Sequence, residues 1–522
     1  MGMVAPGQRI ASAFVVVFGR HGEVSRSARE RGLCRQSVYR QSASALAALE
    51  GTGWRQQVAE LKQQLRQSRQ QVAALQARLA EAVVLDRDKQ AEVACVGQAR
   101  GISLPDVKAL LDVLRPGQIA SVATLGRRTQ AAGERSRALL AVLDEYTRAR
   151  VRQAAVDEIY VTDPVLMVVE PESLCWVSGR LTESLRGQAW AAEFRQLPAL
   201  EQVTRDGGKA LAHGVAAVNE ERQGQGQAAV ADQLDHFHTL RGGSQGVRKL
   251  ESRLRSALAE ADDCQAALDR QRRHGRSENG YRHKARDRWA KAEKAMEAWQ
   301  ERDAVWQKTK AALQLVTPEG QLNTRVRAQA VLAETLPQLP EADFGKAKRM
   351  LQQHQTLTYL DEVQRKLDAL PVPPEVRQAA VRQECLRRHP QLCQGETSQA
   401  AALRGVVLVC AVVLAKAGAV GQQAVQGVQA IFRTTWRASS LVECINSVLR
   451  MQQARHRKMS QGLLDLKRLY WNSHRFRSGR RRGTTPYERL GVPWPPGLRW
   501  WDLLKLTPEQ LKDQLSALEK PK

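Results

Sequence analysis

The stretch from 154 to 178, AAVDEIYVTDPVLMVVEPESLCWVS, decides the fold of this chain. It contains three short runs rich in β-branched and apolar residues, at 154–161, 165–170 and 174–178, and the turn-forming sequences TDP and PES separate them. This pattern predicts a meander of three antiparallel strands. The chain continues with a predicted helix at 188–197, a strand ending at Asp206, a helix from Gly207 and a short strand ending near Asp235.

A long helical region interrupts this sheet domain. Between 241 and 400 no run resembles a strand, and charged helices are predicted at 247–273, 280–314 and 321–370. Beyond them, the helix at 402–416 is apolar all round and is expected to be buried. We therefore predict a multidomain α plus α/β fold. Its sheet domain occupies 151–240 and 401–495, the all-helical insertion occupies 241–400, and a C-terminal helix occupies 496–522.

The N-terminal segment, residues 1–50, has the spacing of a helix-turn-helix. In that motif a small residue lets two helices approach, glycine supplies the turn, and apolar positions close a three-helix core. The residues at this spacing are Ala28, Gly32, Leu33 and Val38. Four polar residues on the third helix would face DNA: Arg35, Gln36, Ser37 and Arg40. The alternative is a small helical bundle with a solvated basic face.

Residues 54–97 carry a coiled-coil pattern. Apolar positions alternate by three and four residues, with one break at Ser68, at Val58, Leu61, Leu65, Val72, Leu75, Leu79 and Ala82. Such a narrow seam needs a partner helix, so it predicts self-pairing into a dimer, with packing on the same chain as the alternative. Residues 98–150 form a second helical module. Ser103 can cap a first helix that Pro116 and Gly117 end, and two further helices are predicted at 122–132 and 134–146. The segment SVATLGRRTQ at 121–130 again suggests a helix-turn-helix.

The charge balance points to a polyanionic partner. The chain of 522 residues has 80 Lys and Arg against 54 Asp and Glu, which gives a formal net charge of +26. The longest uncharged apolar run, 405–415, is shorter than the roughly 20 residues of a membrane span. No secretory cleavage pattern follows the first apolar patch. We therefore expect a cytoplasmic, nucleoid-associated protein without a membrane partner.

Three carboxylates occupy the positions that phosphoryl-transfer chemistry needs. Asp157 lies on the first predicted strand, Asp206 at the end of the fourth, and Glu443 on a late helix, an order that reproduces an RNase H-like domain. Transfer of a phosphoryl group on DNA uses two metal ions that act on the attacking and the leaving oxygen, and Mg²⁺ prefers hard oxygen ligands. On the late helix, Asn446 and Arg450 share one face with Glu443, so they could reach phosphates beside it.

Several motifs resemble those of prokaryotic DDE transposases, which are insertion-sequence enzymes of the RNase H-like superfamily. The motifs are DEI at 157–159 with PVLMVVE at 164–170, TRDGG at 204–208, DHFH at 235–238, SLVECINSVLR at 440–450, and NSHRF at 472–476 with RRRGTTP at 480–486. The DHFH motif is similar to the Asp-x-x-His element of Mutator-type members. The resemblance covers roughly 150–240 and 400–495. The departure is the separation of 237 residues between Asp206 and Glu443.

The resemblance implies a DDE-type transposase that cleaves the ends of its element and joins them to target DNA. Asp157, Asp206 and Glu443 would be the catalytic residues and would bind two Mg²⁺ ions, for which Mn²⁺ can substitute. The remaining implied DNA contacts are His238, Asn446, Arg450, Arg480 and Arg481. The implied partner is double-stranded DNA, both element ends and target, bound by a homodimer or higher oligomer.

Each of these features also has a simpler interpretation. Asp157 could belong to a surface pair with Glu158, Asp206 could cap a helix, and Glu443 could be solvated, with Glu251 or Glu488 as the third acid. His236 and His238 could be core residues or a metal pair. The alternative function is a non-catalytic helix-turn-helix and coiled-coil DNA-binding protein, either a repressor or a decayed transposase. No Walker-type phosphate loop is present.

Overall fold

The computed structural model describes residues 5–48, 54–81, 85–453 and 459–519. These residues are mostly helical, with one mixed five-stranded sheet, which confirms the α plus α/β class. The chain divides into two compact units, Met1–Asp86 and Arg87–Lys522.

Within residues 5–48 and 54–81, the first unit contains four helices: α1 (Pro6–Phe18), α2 (Glu23–Glu30), α3 (Arg35–Ala48) and α4 (Trp54–Glu81). Gly32 adopts a left-handed φ of 62° in the turn between α2 and α3, a conformation that glycine reaches without steric cost. Ala28, Val38 and Ala45 are buried between the first three helices. The predicted three-helix arrangement is therefore present.

Helix α4 carries the predicted coiled-coil seam on its surface. Leu61, Leu65, Val72 and Leu75 are all exposed, at 58%, 42%, 53% and 61% of their surface. The predicted segment extended to 97, but α4 ends at Glu81 and a separate helix begins at Arg87 in the second unit, where Ala94 and Cys95 are buried. The last seam residue, Ala82, lies outside the described residues.

The second unit opens with α5 (Arg87–Ala99), α6 (Leu104–Leu114) and α7 (Val122–Arg148). Ser103 caps α6 as expected, and its hydroxyl accepts from the Asp106 amide at 3.2 Å. The two helices predicted at 122–132 and 134–146 are one, so the second helix-turn-helix prediction is wrong. Gly133 is needed for contact and not for a turn: a Cβ there would lie 2.7 Å from the Gly462 carbonyl oxygen.

The sheet follows, with two helices between its later strands. Its elements are β1 (Gln153–Tyr160), β2 (Pro164–Glu170), β3 (Cys175–Leu181), α8 (Gly187–Arg195), β4 (Gln202–Arg205), α9 (Lys209–Gly224) and β5 (Ala231–Leu234). The strand order is β3-β2-β1-β4-β5, in which the first three strands pair antiparallel, and β4 and β5 pair parallel to β1 and to each other. Every predicted strand is confirmed.

A helical region leaves the sheet at β5 and returns about 200 residues later. Its helices are α10 (His236–Arg273), α11 (Asn279–Ala312), α12 (Arg325–Thr335), α13 (Glu341–Leu351), α14 (Thr358–Asp368) and α15 (Pro374–Arg388). Short 3₁₀ turns lie at 336–338 and 354–357. The single helix predicted at 321–370 is therefore three helices, which pack with Trp306 around a core of their own.

Two further helices, α16 (Ser398–Lys416) and α17 (Gly418–Arg433), complete this region. The prediction that α16 is buried is wrong. Leu408, Val409 and Val412 are exposed over 67%, 64% and 52% of their surface. Within the described ranges, α16 is the one helix with the length and hydropathy of a membrane span, which by itself is weak evidence for one.

The chain ends with five helices: α18 (Ser440–Gln453), α19 (Gln461–Ser473), α20 (Pro486–Leu490), α21 (Trp500–Leu503) and α22 (Pro508–Glu519). One face of the sheet packs on α7, α8, α9 and α19 in the main core. The opposite face packs on α18, where Val442, Ile445 and Leu449 lie against Ala155 and Met167. This second face holds the candidate site.

Candidate active site

Asp157 lies on β1, on the sheet face that α18 covers. Successive residues of a strand point to opposite faces, so Asp157 shares its face with Ala155 and Ile159, which are buried in the core beneath α18. One carboxylate oxygen of Asp157 accepts from the Glu158 amide at 2.8 Å. The other accepts from the side-chain amide of Asn446 at 2.9 Å. The strand therefore presents the Asp157 carboxylate to α18.

Asp206 directly follows β4, the strand that pairs parallel to β1. Its Oδ1 accepts from the Gly208 amide at 2.8 Å, at the start of α9. The N-cap of α9 is Gly208, so this contact closes a turn before the helix and Asp206 does not cap α9, contrary to the simpler interpretation. Its position at the carboxyl end of β4 also brings its charge close enough to act on Asp157.

Helix α18 carries the three predicted residues Glu443, Asn446 and Arg450, which make different contacts. Asn446 is buried and contacts Asp157, which lies 289 residues earlier in the chain. Glu443 forms an ion pair with Arg450 on the same face of the helix. The predicted common face is therefore present, with Asn446 at the carboxylate of Asp157 and Arg450 at the carboxylate of Glu443.

The charges of these groups are coupled. Burial, together with the negative charges of Asp206 and Glu443, raises the pKa of Asp157 to about 6. The positive charge of His238 acts in the opposite direction. Asp206, Glu443 and His238 therefore all lie within electrostatic range of Asp157, and the carboxylates among them favour a bound cation.

Asp235 links the sheet, α10 and α18. It is fully buried and caps α10, where it accepts from the amides of Phe237 at 2.7 Å and His238 at 3.3 Å. It also accepts from the amide and the hydroxyl of Ser439, at 3.0 and 2.9 Å, directly before α18. Beside these contacts, the His236 amide donates to the Arg437 carbonyl at 2.8 Å. The chain segments immediately before and after the helical insertion are thus hydrogen-bonded to each other, and we call this junction the base of the insertion.

The two histidines of the DHFH motif have different surroundings. His236 is buried, and its Nε2 bonds to the Thr356 carbonyl at 2.7 Å, while burial lowers its pKa to about 4. His238 bonds through Nδ1 to Asp235, and this bond raises its pKa. His236 is therefore a core residue, whereas His238 faces the carboxylates. The role of Asp235 and Ser439 was not predicted, although both lie beside predicted motifs.

The remaining predicted DNA contacts lie elsewhere. Arg35, Gln36 and Arg40 are exposed at the start of α3 in the first unit. Arg480 lies over the Trp436 ring at 5.5 Å. Arg481 donates to the carbonyl oxygens of Pro171 and Glu172 at 3.0 Å, so these contacts occupy much of its guanidinium. The structure leaves Arg35, Gln36, Arg40 and Arg480 accessible.

The donor set fits a hard divalent cation. Asp157 and Asp206 offer carboxylate oxygens, and the Oδ1 of Asn446, buried beside Asp157, has no hydrogen-bond partner. The Glu443 carboxylate is engaged with Arg450 and would have to leave this pair to join them. Within the described part of the chain, no three His, Cys, Asp or Glu side chains are already spaced around one ion position.

The raised pKa of Asp157 predicts a pH-dependent effect of Asp157→Asn on stability. Because the pKa rises from 3.8 in the unfolded chain to about 6, the folded state binds the extra proton, and stability falls as pH rises through this window. In EDTA, we expect Asp157→Asn to be more stable than the unsubstituted protein by about 1–3 kcal/mol at pH 8 and no more stable at pH 4. The Asn446 amide can rotate to keep its bond.

Urea unfolding at the two pH values measures this difference. Asp163→Asn, in the exposed turn between β1 and β2, is the matched control and should show no difference. An equal gain at pH 4 and pH 8 would contradict the assignment of the unfavourable charge to Asp157.

Comparison with known proteins does not assign this chain to a family. No protein-family model, no curated protein and no solved structure matches it.

Proposed function

We propose that the protein is a DNA transposase that cleaves and joins DNA strands by metal-dependent phosphoryl transfer in an RNase H-like domain. The sheet supports this assignment, because its order β3-β2-β1-β4-β5 combines an antiparallel meander with two parallel strands. The carboxylates follow the same plan. Asp157 lies on the central strand, Asp206 follows the adjacent strand, and Glu443 lies on the helix over that face.

The observation that carries the proposal is the hydrogen bond between Asp157 and Asn446. It fixes α18 against β1 across 289 residues of chain, so the long insertion does not separate the third acid from the first two. The pKa of Asp157 responds to both Asp206 and Glu443, as expected for carboxylates that share one site.

The chain's own groups have separable tasks in this mechanism. Two Mg²⁺ ions at the carboxylates would activate the attacking oxygen and neutralise the leaving oxygen. Asp157 and Asp206 would hold them from the rigid sheet, and Glu443 would complete the site after releasing Arg450. Arg450 would then be free to bind a phosphate. His238, held through Nδ1 by Asp235, directs its Nε2 away from that bond and can donate to a phosphate oxygen.

The first unit supports binding of DNA ends by a dimer. The exposed Arg35, Gln36 and Arg40 lie at the start of α3, in the position of a recognition helix that enters the major groove. The exposed seam of α4 supplies the surface on which two copies would pair.

We expect Leu65→Lys with Val72→Lys to make the protein monomeric. Both residues lie in the exposed seam, and like charges placed in a dimer core carry a large desolvation cost. Sedimentation equilibrium measures the mass. Gln63→Lys with Gln70→Lys adds the same charge outside the seam and should leave the dimer intact. If the Leu65→Lys, Val72→Lys variant still has the mass of a dimer, the dimer interface does not lie on the α4 seam.

A cleavage assay tests the proposed function directly. The full-length protein is incubated with labelled DNA from the two flanks of its own gene, in Mg²⁺, in Mn²⁺ or in EDTA, and a gel shift is run on the same preparation. We expect nicks at defined positions and joined products in either metal, and binding without nicks in EDTA. Binding without cleavage in all three conditions would overturn the catalytic proposal.

The second candidate is a non-catalytic DNA-binding protein, which one observation favours. The Glu443 carboxylate is paired with Arg450. A repressor or a decayed transposase would keep this pair permanently, and the net charge and the first unit would serve it equally well. Metal-dependent cleavage distinguishes the two candidates.

A further inference from the structure

Helix α13 of the insertion forms one wall of a cavity at the candidate site. The cavity has a volume of about 470 Å³, within the range of ligand-binding clefts. Asp206 and His238 line its sheet side, and Lys346, Arg349 and Gln353 line the opposite side. Residues 346 and 349 are three apart on α13 and share one face of that helix, and Gln353 follows just beyond the end of the helix. The insertion thus contributes directly to the surroundings of Asp206.

Two glycines on α10 allow α11 and α13 to pack closely against it. A Cβ on Gly243 would lie 2.1 Å from the Trp306 ring, and a Cβ on Gly246 would lie 2.9 Å from the Phe344 ring of α13. Met350 of α13 is buried, and its sulfur accepts from the Thr239 hydroxyl at 3.6 Å. Close packing on α10 therefore holds α13 at the cavity.

The two basic side chains of this wall are available for a ligand. Lys346 is exposed and has no ion-pair partner within the described ranges. Arg349 is 70% exposed, and its ion pair with Glu341 has a separation of 3.5 Å. The neighbouring Lys348 differs, since its ammonium donates to the Leu339 carbonyl at 2.9 Å and supports the turn before α13.

We propose that Lys346 and Arg349 bind the phosphate backbone of the DNA strand that enters the carboxylate site. This inference rests on the proposed function. A DNA strand that approaches three carboxylates is repelled, and two cations on the facing wall offset that repulsion. The guanidinium of Arg349 can donate two parallel hydrogen bonds to one phosphate, while Lys346 acts as a point charge on the next. The insertion is then part of the substrate-binding surface.

The experiment measures how DNA affinity depends on salt in the full-length protein. The probe is a fluorescein-labelled duplex with an unpaired 3′ end, and its anisotropy is followed over a series of salt concentrations. Each phosphate contact contributes about 0.7–0.9 to the slope of log affinity against log salt. We expect Lys346→Gln with Arg349→Gln to reduce the slope by about 1–2. Lys346→Arg with Arg349→Lys should keep most of it.

The matched control is Arg286→Gln with Lys294→Gln. Both residues are exposed on α11, and the pair removes the same charge. The proposal is wrong if the α13 substitutions leave the slope of log affinity against log salt unchanged. It is also wrong if the α11 substitutions reduce that slope equally.

This outcome is separable from failure of the proposed function. A reduced slope in a protein that never cleaves DNA supports the wall and overturns the catalytic proposal. If the α13 substitutions change neither cleavage nor the salt dependence of binding, phosphate binding by Lys346 and Arg349 is excluded and the proposed function stands.

Discussion

Strand transfer by Asp157→Asn or Asp206→Asn is expected to fall at least about a thousandfold, which is roughly 4 kcal/mol of activation free energy. Asparagine keeps the shape of the side chain but removes a negatively charged oxygen ligand. A two-metal site that loses such a ligand loses stabilisation of both the attacking and the leaving oxygen. Quantitative cleavage and joining with Mg²⁺ on a labelled DNA end measures the effect.

Binding and catalysis should respond differently to these substitutions. Binding to DNA ends should persist in the gel shift, because the substitutions relieve repulsion between carboxylates and phosphates. The exposed Asp163→Asn serves again as control and should cleave normally. If Asp157→Asn and Asp206→Asn cleave at the unsubstituted rate, these residues are not the metal ligands.

Replacing Asp235 by alanine is expected to lower both stability and activity. The substitution leaves the Phe237 amide and the buried amide and hydroxyl of Ser439 without their acceptor, and it removes the cap of α10. Unsatisfied buried donors cost about 1–3 kcal/mol each, with partial relaxation, so we expect a loss of about 3 kcal/mol in the free energy of unfolding. Urea unfolding measures it.

Activity of this variant should fall for a positional reason. Without Asp235, the His238 ring loses its partner at Nδ1, and the start of α18 loses its attachment to α10. Asp262→Ala, on the exposed surface of α10, controls for removal of an acid and should change neither property. An Asp235→Ala protein as stable as the control would refute the linking role.

The sequence predicted the sheet well because each strand carries its own local signal. The runs around Val156, Val168 and Val177 are rich in β-branched residues and are bounded by turn sequences. Asp206 lies at a strand end marked by the following glycines. These signals depend only on neighbouring residues, so no tertiary information is needed to interpret them.

The sequence-based predictions were wrong where the role of a residue depends on contacts with residues that are distant in sequence. Gly133 suggested a break in α7, but it allows close packing on Gly462, more than 300 residues later. Helix α16 is apolar all round, a pattern that does not say which face is covered, and its Leu408 is exposed. Lys346 and Arg349 carry no motif, because only the packing of α13 against Gly246 of α10 places them at the cavity.

The hydrogen bonds at the base of the insertion affect how much the insertion could change in length. Asp235 and Ser439 are 204 residues apart in sequence yet share two hydrogen bonds, so α18 begins where a direct connection from β5 would place it. Closing a loop costs only about 0.6 kcal/mol more for each doubling of its length. Sequence added between the helices of the insertion, away from Asp235 and Ser439, should therefore leave the carboxylates in place.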